Sequence, residues 1–460
     1  MRAFVKLNFA VKFLVVAFSS VALVYETSEL ATLYYKYPTV VNVKLEKEMV
    51  IDLPSMTICV SMFFTRSVLK ATFGQQMAKE LEAIGATKDT DNKTIELNES
   101  KIYEKYSELA LKQFPIESLF AMSPKESHFI SCNLSLPLLV SSERGFNCQS
   151  VSKVIETFHS NGKCFTYFSR LNQNLVDPRL YKVSLYQDLR ASLGSIASIQ
   201  IKFPLEEYPN YLDIAPASIS IHPPNMLPNN GKVHKLRPGF NYDIYFSKTL
   251  SKLLPPPYET MCTIYQTNDP NKPQSRADCV DKCIVSVWSH LCNCTPNHIS
   301  VRRDVHHMKD YMCGRDESVN NSIAGEMRNA CYDQCLPDCV DEEYDFDVEE
   351  TSHTSASSPA QRGAINYGEP ALKLRKMLFS DINLIRRFSG DVTYNHSPQM
   401  PFIEFICYVA SLASLWLGLS VLTIYDYLTK FLLLMYRNYK RINTQNNTQI
   451  QPKLNNVFVV

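Results

Sequence analysis

The 460-residue chain carries almost no net charge: 47 basic residues against 46 acidic ones leave +1 with His neutral. Such balance offers no field to hold a polyanion, which excludes nucleic acid as a partner. Local signatures of catalysis are missing too. There is no Gly-rich phosphate loop, no G-x-S-x-G elbow and no H-E-x-x-H pair, the arrangements that cradle a phosphate, lift a nucleophile or hold zinc beside a base. Nothing recommends an enzyme, and no cofactor is expected.

Charge is absent again, now locally, from Phe405 to Tyr425. As a helix at 1.5 Å per residue, that run spans ~31 Å, the thickness of a bilayer's hydrocarbon core. A shorter apolar run, FLVVAFSSVALVY (Phe13 to Tyr25), lies near the N-terminus, where AFVKLNFAVK and ETSELATLYYKY extend the helix on either side. Lys6 and Lys12 sit near its start, within reach of headgroups. A cleaved signal peptide competes with this reading, because Met1-Arg2 is a basic start and Ser20-Val21-Ala22 a tolerable cleavage site. Lys12 before the apolar core, and a helical pattern running past the site, favour a retained span.

Arg2 and Lys6 precede the first span, and Lys430, Arg437, Lys440 and Arg441 follow the second. By the positive-inside tendency both tails are cytoplasmic and the middle lies outside a plasma membrane. The middle agrees. Of 14 Cys, nine fall between Cys262 and Cys339, a density that suggests disulfides made in an oxidising compartment. Six glycosylation sequons stand at Asn92, Asn98, Asn133, Asn293, Asn320 and Asn395. The expected order is a cytoplasmic start (1–6), a first span (7–33), an extracellular Cys-rich domain (34–401), a second span (402–434) and a cytoplasmic tail (435–460). From Asn443 the tail is rich in Asn and Gln and is expected to be disordered.

Within the middle, SIASIQIKF, ASISIHP and NYDIYFSKTL alternate apolar and polar residues and read as strands. FGQQMAKELEAIG (73–85) reads as a helix ending at Gly85, and LPPPY (254–258) as an extended connector. The acidic run DEEYDFDVEE (341–350) reads as a solvated face. In DCVDKCIVSVWSHLCNC, Val280, Ile284, Val287 and Leu291 recur at helical spacing, and Cys279 and Cys283 share one face. Cys331 and Cys335 are also four apart. If these helices pack antiparallel, Cys283–Cys331 and Cys279–Cys335 form nested rungs, with Cys262 and Cys339 placed to close an outer one. Cys292-Asn293-Cys294 with His306 and His307 fits zinc poorly, so no metal is expected.

With two spans and a Cys-ladder middle in place, the chain resembles the degenerin/epithelial sodium channel family, from about residue 10 to 427. LPSMTICV (53–60) looks like the family's F-P-A-V-T-I-C-N strand, and CFTYF (164–168) its C-Y-T-F-N segment. LLPPPYETMC followed by C-x3-C, C-x-C and C-x3-C-x3-C matches the order of Cys in the family's thumb, here at about 258–340. LWLGLSVLTIYDY is close to the family's second transmembrane helix.

The resemblance implies an α+β membrane protein: two transmembrane helices flank a large disulfide-rich mixed ectodomain, in a trimeric channel. It adds Cys59–Cys164, Cys132–Cys148 and Cys294–Cys313 to the three rungs and leaves Cys292 without a partner. Taken alone, Gly418 and Ser420 read as helix-packing residues; the resemblance makes Gly418-Leu419-Ser420 a selectivity filter whose backbone carbonyls meet Na⁺. It likewise implies a cation ring at Asp426, a gating position at Cys407 and an amiloride-associated position at Ser414. Tyr258 would couple the thumb to the first helix through Tyr35 or Tyr37.

Three departures stand out. The family's His-Gly motif before the first helix has no counterpart, so other subunits are expected to be needed or the chain to begin late. Ala410 and Ser411 replace a Gly pair, and YYKYPTVVNV lacks the acid-sensing branch's His, so proton gating is not expected. The leading expectation is a subunit of a voltage-insensitive, amiloride-sensitive sodium channel with Na⁺ as permeant ion, as a homotrimer or a heterotrimer with related subunits. It contacts membrane lipid, and an extracellular-matrix or peptide ligand, or a mechanical stimulus, gates it. The alternative is a membrane-tethered Cys-rich receptor or adhesion protein that conducts nothing.

Overall fold

The alternating segments become strands of two sheets, and the Cys-rich segments become helices laid beside one of them. The computed structural model describes residues 2–46, 50–85, 92–134, 146–150, 152–159, 162–171, 182–184, 195–208, 216–227, 232–265, 272–296, 299–303, 309–313, 321–352, 379–387, 390–418 and 421–448. The chain divides into two compact units. One comprises Met1–Val40, Pro257–Glu259 and Pro398–Val460; the other comprises Val41–Pro256 and Thr260–Ser397.

The larger unit holds the strands β1 (Thr39–Glu46, its first two residues in the other unit), β2 (Val50–Asp52), β3 (Ser55–Val60), β4 (Ile130–Leu134), β5 (Phe146–Asn147), β6 (Ile155–His159), β7 (Gly162–Tyr167) and β8 (Lys182–Ser184). It continues with β9 (Ala197–Lys202), β10 (Ala217–His222), β11 (His234–Leu236), β12 (Phe240–Lys252), β13 (Val301–Arg302), β14 (Val340–Ser352), β15 (Phe379–Arg386) and β16 (Asp391–Pro398, its last residue in the other unit). One sheet runs β1-β16-β12-β15-β9-β4-β5 with β14 paired to β12; a second runs β11-β10-β3-β7-β6-β13; β2 and β8 pair alone.

Strand β12 organises the first sheet. Along one edge it pairs antiparallel with β14 over its whole length, Phe240 opposite Ser352 and Lys252 opposite Val340. Its other edge is shared by two parallel partners, β15 at Asn241–Phe246 and β16 at Thr249–Lys252. The acidic run therefore lies in a strand: Tyr344 and Phe346 turn inward while Glu343, Asp345, Asp347 and Glu349 face solvent, the period-two pattern of a half-buried strand. Lys232 pairs with Asp345 at 2.8 Å, and Lys248 with Glu342 at 2.9 Å.

Apolar faces of both sheets meet in one core that includes Ile58, Phe165, Ile199, Ile219, Ile244 and Leu384. β7 is buried along its whole length, because helices cover the other side of its sheet. In the larger unit these are α2 (Arg66–Gly85), α3 (Asn92–Gln113), α4 (Ile116–Met122), α5 (Arg276–Cys292) and α6 (Asn321–Gln334), while α1 (Arg2–Tyr34) belongs to the smaller unit. A second core gathers Leu69, Tyr106, Phe120, Ile284 and Trp288 from α2 to α5 with Phe158 of β6. Here Lys163 of β7 is buried, donating to Glu156 Oε2 at 2.9 Å and Ser123 Oγ at 3.0 Å beneath the Phe120 ring. Burial lowers this ammonium to about 8 from 10.5, with Glu156 opposing the shift.

Several local expectations need correction. The helix expected over 73–85 begins at Arg66 and bends at Gly74. LPPPY does not stay extended; the chain turns at 256–260, where Thr260 Oγ1 donates to Leu254 O at 2.7 Å. Along α5 the buried stripe is Val280, Ile284 and Trp288, while Leu291 is 59% exposed. Steps of four keep one stripe on one face, and Leu291 falls off it at the last turn, before Asn293 closes the helix in a left-handed conformation. At the other end Ser275 Oγ accepts from the Asp278 amide at 3.1 Å, an N-cap.

Disulfides join Cys59–Cys164, Cys132–Cys148, Cys262–Cys339, Cys279–Cys335, Cys283–Cys331 and Cys294–Cys313. Cys59 and Cys164 are direct register partners of β3 and β7. Two of the bonds clamp α5 to α6 as nested rungs, and Cys292 and Cys407 are free thiols. Close by, Gly162 opens β7 at φ 150°, and a Cβ there would lie 2.1 Å from Val60 O. Only a residue without a side chain lets β7 approach β3 at that point.

Candidate pore-forming unit

The smaller unit is built from α1 and two further helices, α7 (Phe402–Leu417) and α8 (Val421–Thr448). Within α1, Phe13–Tyr34 is long and apolar enough to cross a membrane. Its side chains from Phe13 to Tyr25 include large apolar ones left uncovered, Phe18 at 69% exposed. The charge-free run expected to be one helix of ~31 Å is two: α7 has 16 residues, and the helix stops at Leu417.

Gly418 causes the stop. Its φ of 63° and ψ of 25° are left-handed, and its amide donates to Ser414 O at 3.0 Å. That is a helix C-cap, and Gly adopts it without a Cβ clash. Leu419 and Ser420 lie outside the described residues; helix resumes at Val421. It continues to Thr448, so Asn443–Thr448, expected to be disordered, is helical. Asp426 is exposed on the second turn of α8, with its carbonyl accepting from Thr429 Oγ1 at 3.0 Å.

Of the other residues singled out in the sequence, Cys407 is exposed on α7 and its carbonyl accepts from Ser411 Oγ at 2.8 Å. Ser414 is exposed one turn before the break. Tyr258 meets Tyr37 edge-on, with ring centroids 5.6 Å apart. Tyr35 touches Tyr34 and Tyr37 at 5.4 and 6.3 Å. Asn133 and Asn293 are exposed and Asn98 and Asn395 half-buried; Asn320 and the side chain of Asn92 lie outside the described residues. His306 and His307 do as well, and among the described residues no group of His, Cys, Asp or Glu is placed to hold a metal.

Two links between α1 and α7 escaped the sequence reading. Tyr34 stacks on Phe405 with centroids 4.5 Å apart. Eleven residues along α7 from Phe405, Trp416 Nε1 donates to Glu26 Oε2 at 2.8 Å, and the indole meets Phe18 edge-on at 6.1 Å. The available signal was Glu26 itself, an acid inside an apolar helix, which marks a functional position by default.

The chain matches the family described as amiloride-sensitive sodium channel over residues 10–429. It belongs to that family. Membership identifies a membrane ion-channel protein, and the structure gives it an α+β, disulfide-rich ectodomain. Among solved structures, the cryo-EM structure of a proton-activated chloride channel is similar at 7% identity, covering 94% of this chain and 99% of that chain with a TM-score of 0.29. Comparison with curated proteins gives no match.

Proposed function

We propose that the chain is one subunit of a trimeric, voltage-insensitive, amiloride-sensitive sodium channel, gated by an extracellular ligand or a mechanical stimulus. The observation that carries the reading is the break at Gly418, set between two helices of the membrane unit and inside the Gly-Leu-Ser triplet. Non-helical backbone at membrane depth is tolerated where it lines a water-filled cavity. A Na⁺ ion stripped of water needs oxygen ligands, and small residues let three backbones come close enough to provide them. In this reading α1 forms one span and α7 with α8 the other, with both termini cytoplasmic. Asp426 contributes to a ring of three carboxylates that concentrates cations. Cys407 is the gating position, Ser414 contributes to block by amiloride, and Tyr258 acts on α1 through Tyr37.

Expression of Cys407→Val, alone and with family subunits, should give a constitutive sodium current blocked by amiloride. No current in any combination overturns the pore reading. In the conducting channel, Gly418→Ala or Ser420→Cys should shift the Na⁺/K⁺ reversal potential; unchanged potentials overturn the filter assignment.

A further inference from the structure

Beside the Glu26–Trp416 link, a groove of about 610 Å³ runs between α1 and α7 within the smaller unit. Leu30, Leu33, Leu412 and Leu415 form apolar walls, and Glu26 and Glu29 bring two carboxylates to it. The volume falls in the range of small-molecule sites, about 300–1,000 Å³. Glu26 and Glu29 are three apart on α1 and so share one face of the helix.

The charge is what needs a partner. No Lys or Arg occurs from Phe13 to Tyr34 or from Phe402 to Leu417. Among the described residues, the donors that meet these carboxylates are neutral: the Trp416 indole to Glu26, and the Tyr25 hydroxyl to Glu29 at 3.0 Å. Two anionic side chains on an apolar helix are costly in a membrane unless a cation meets them. Beyond the two acids only Tyr408 and Ser411 add hydroxyl oxygens to the lining, too few for a bare metal ion, since hard cations take about six or more ligands. An ammonium needs only two or three acceptors, and a hydrocarbon chain attached to it covers the walls.

We propose that this groove binds an amphiphilic organic cation, a primary ammonium head on an alkyl chain, with Glu26 and Glu29 as counter-charges and the four leucines around the chain. The ligand enters sideways from the bilayer. The site rests on the membrane placement of α1 and not on the pore reading, so it stands or falls apart from the filter.

The test uses the full chain in phospholipid nanodiscs, a long-chain primary amine bearing a diazirine, and the matching alcohol. Photolabelled peptides are read by mass spectrometry. The amine should label α1 and α7, and Glu26→Gln with Glu29→Gln should reduce that labelling by about tenfold or more, leaving the alcohol's labelling unchanged. Gln at position 26 keeps an oxygen for Trp416, and an unchanged thermal melt shows that the variant is folded. Leu412→Trp, which fills the groove and keeps both acids, should also reduce amine labelling. If amine and alcohol label these helices alike, the groove holds ordinary lipid tails and the proposal fails. It fails equally if amine labelling survives the double substitution in the folded variant.

Discussion

His222, at the end of β10, shows how a single buried side chain sets a pH limit. Its Nδ1 lies 3.0 Å from Pro223 O and its Nε2 2.8 Å from Thr57 Oγ1, which lies 2.7 Å from Thr166 Oγ1. With Nδ1–H donating to the carbonyl, Nε2 accepts from Thr57, an arrangement that suits the neutral ring. Burial lowers the imidazole to about 4 from 6.5, only partly opposed by the Pro223 carbonyl. The folded state thus resists a proton that the unfolded chain takes readily. The stability it contributes is present above about pH 6.5 and is lost as pH falls towards about 4. Between neutral pH and about pH 5 the loss should be about 2 kcal/mol. His222→Gln should flatten that part of the stability–pH profile in thermal melts of the purified chain; an unchanged slope would show that other groups carry it.

For the helices, α5 and α6 depend on their two nested disulfides. With Cys283–Cys331 in place, Cys279–Cys335 closes only a short extra loop, and the reverse is equally true. Replacing either pair by Ser should cost about 3 kcal/mol on loop-closure grounds. Replacing both frees a longer loop, so the combined loss should exceed the sum. Denaturant midpoints under non-reducing conditions measure this, and simple additivity would refute the nested-loop account. This part of the structure was legible because Cys at i and i+4 on an amphipathic pattern has few geometric solutions. Trp288 was not, since counting Val287 and Leu291 as buried put the stripe one position off. At 341–350 the charges hid Tyr344 and Phe346, the two side chains that make the run a strand. Gly418 could be singled out from the sequence as an oddity in an apolar run, but its left-handed backbone could not.

For the whole molecule, the sequence pattern revealed the apolar ends, the Cys-rich middle and the strand-forming segments. It did not reveal that β12 takes both β15 and β16 along one edge, because pairing over more than a hundred residues leaves no local periodicity. Glu26 with Trp416 and Tyr34 with Phe405 were hidden for the same reason. Each pair joins segments almost four hundred residues apart. Assembly was legible only through the family resemblance, and it is directly testable. If the proposed trimer is right, chemical cross-linking in native membranes should build bands of one, two and three copies of the 52.5 kDa chain and no more. A ladder that ends at two, or continues to four, would refute it.

Gly162 has a consequence at the level of inheritance. Every amino acid that one nucleotide change can put in place of glycine carries a Cβ, and here that atom would meet Val60 O at 2.1 Å. At this codon there is no conservative missense allele: alanine, the mildest of them, already drives β7 away from β3 across the Cys59–Cys164 bond.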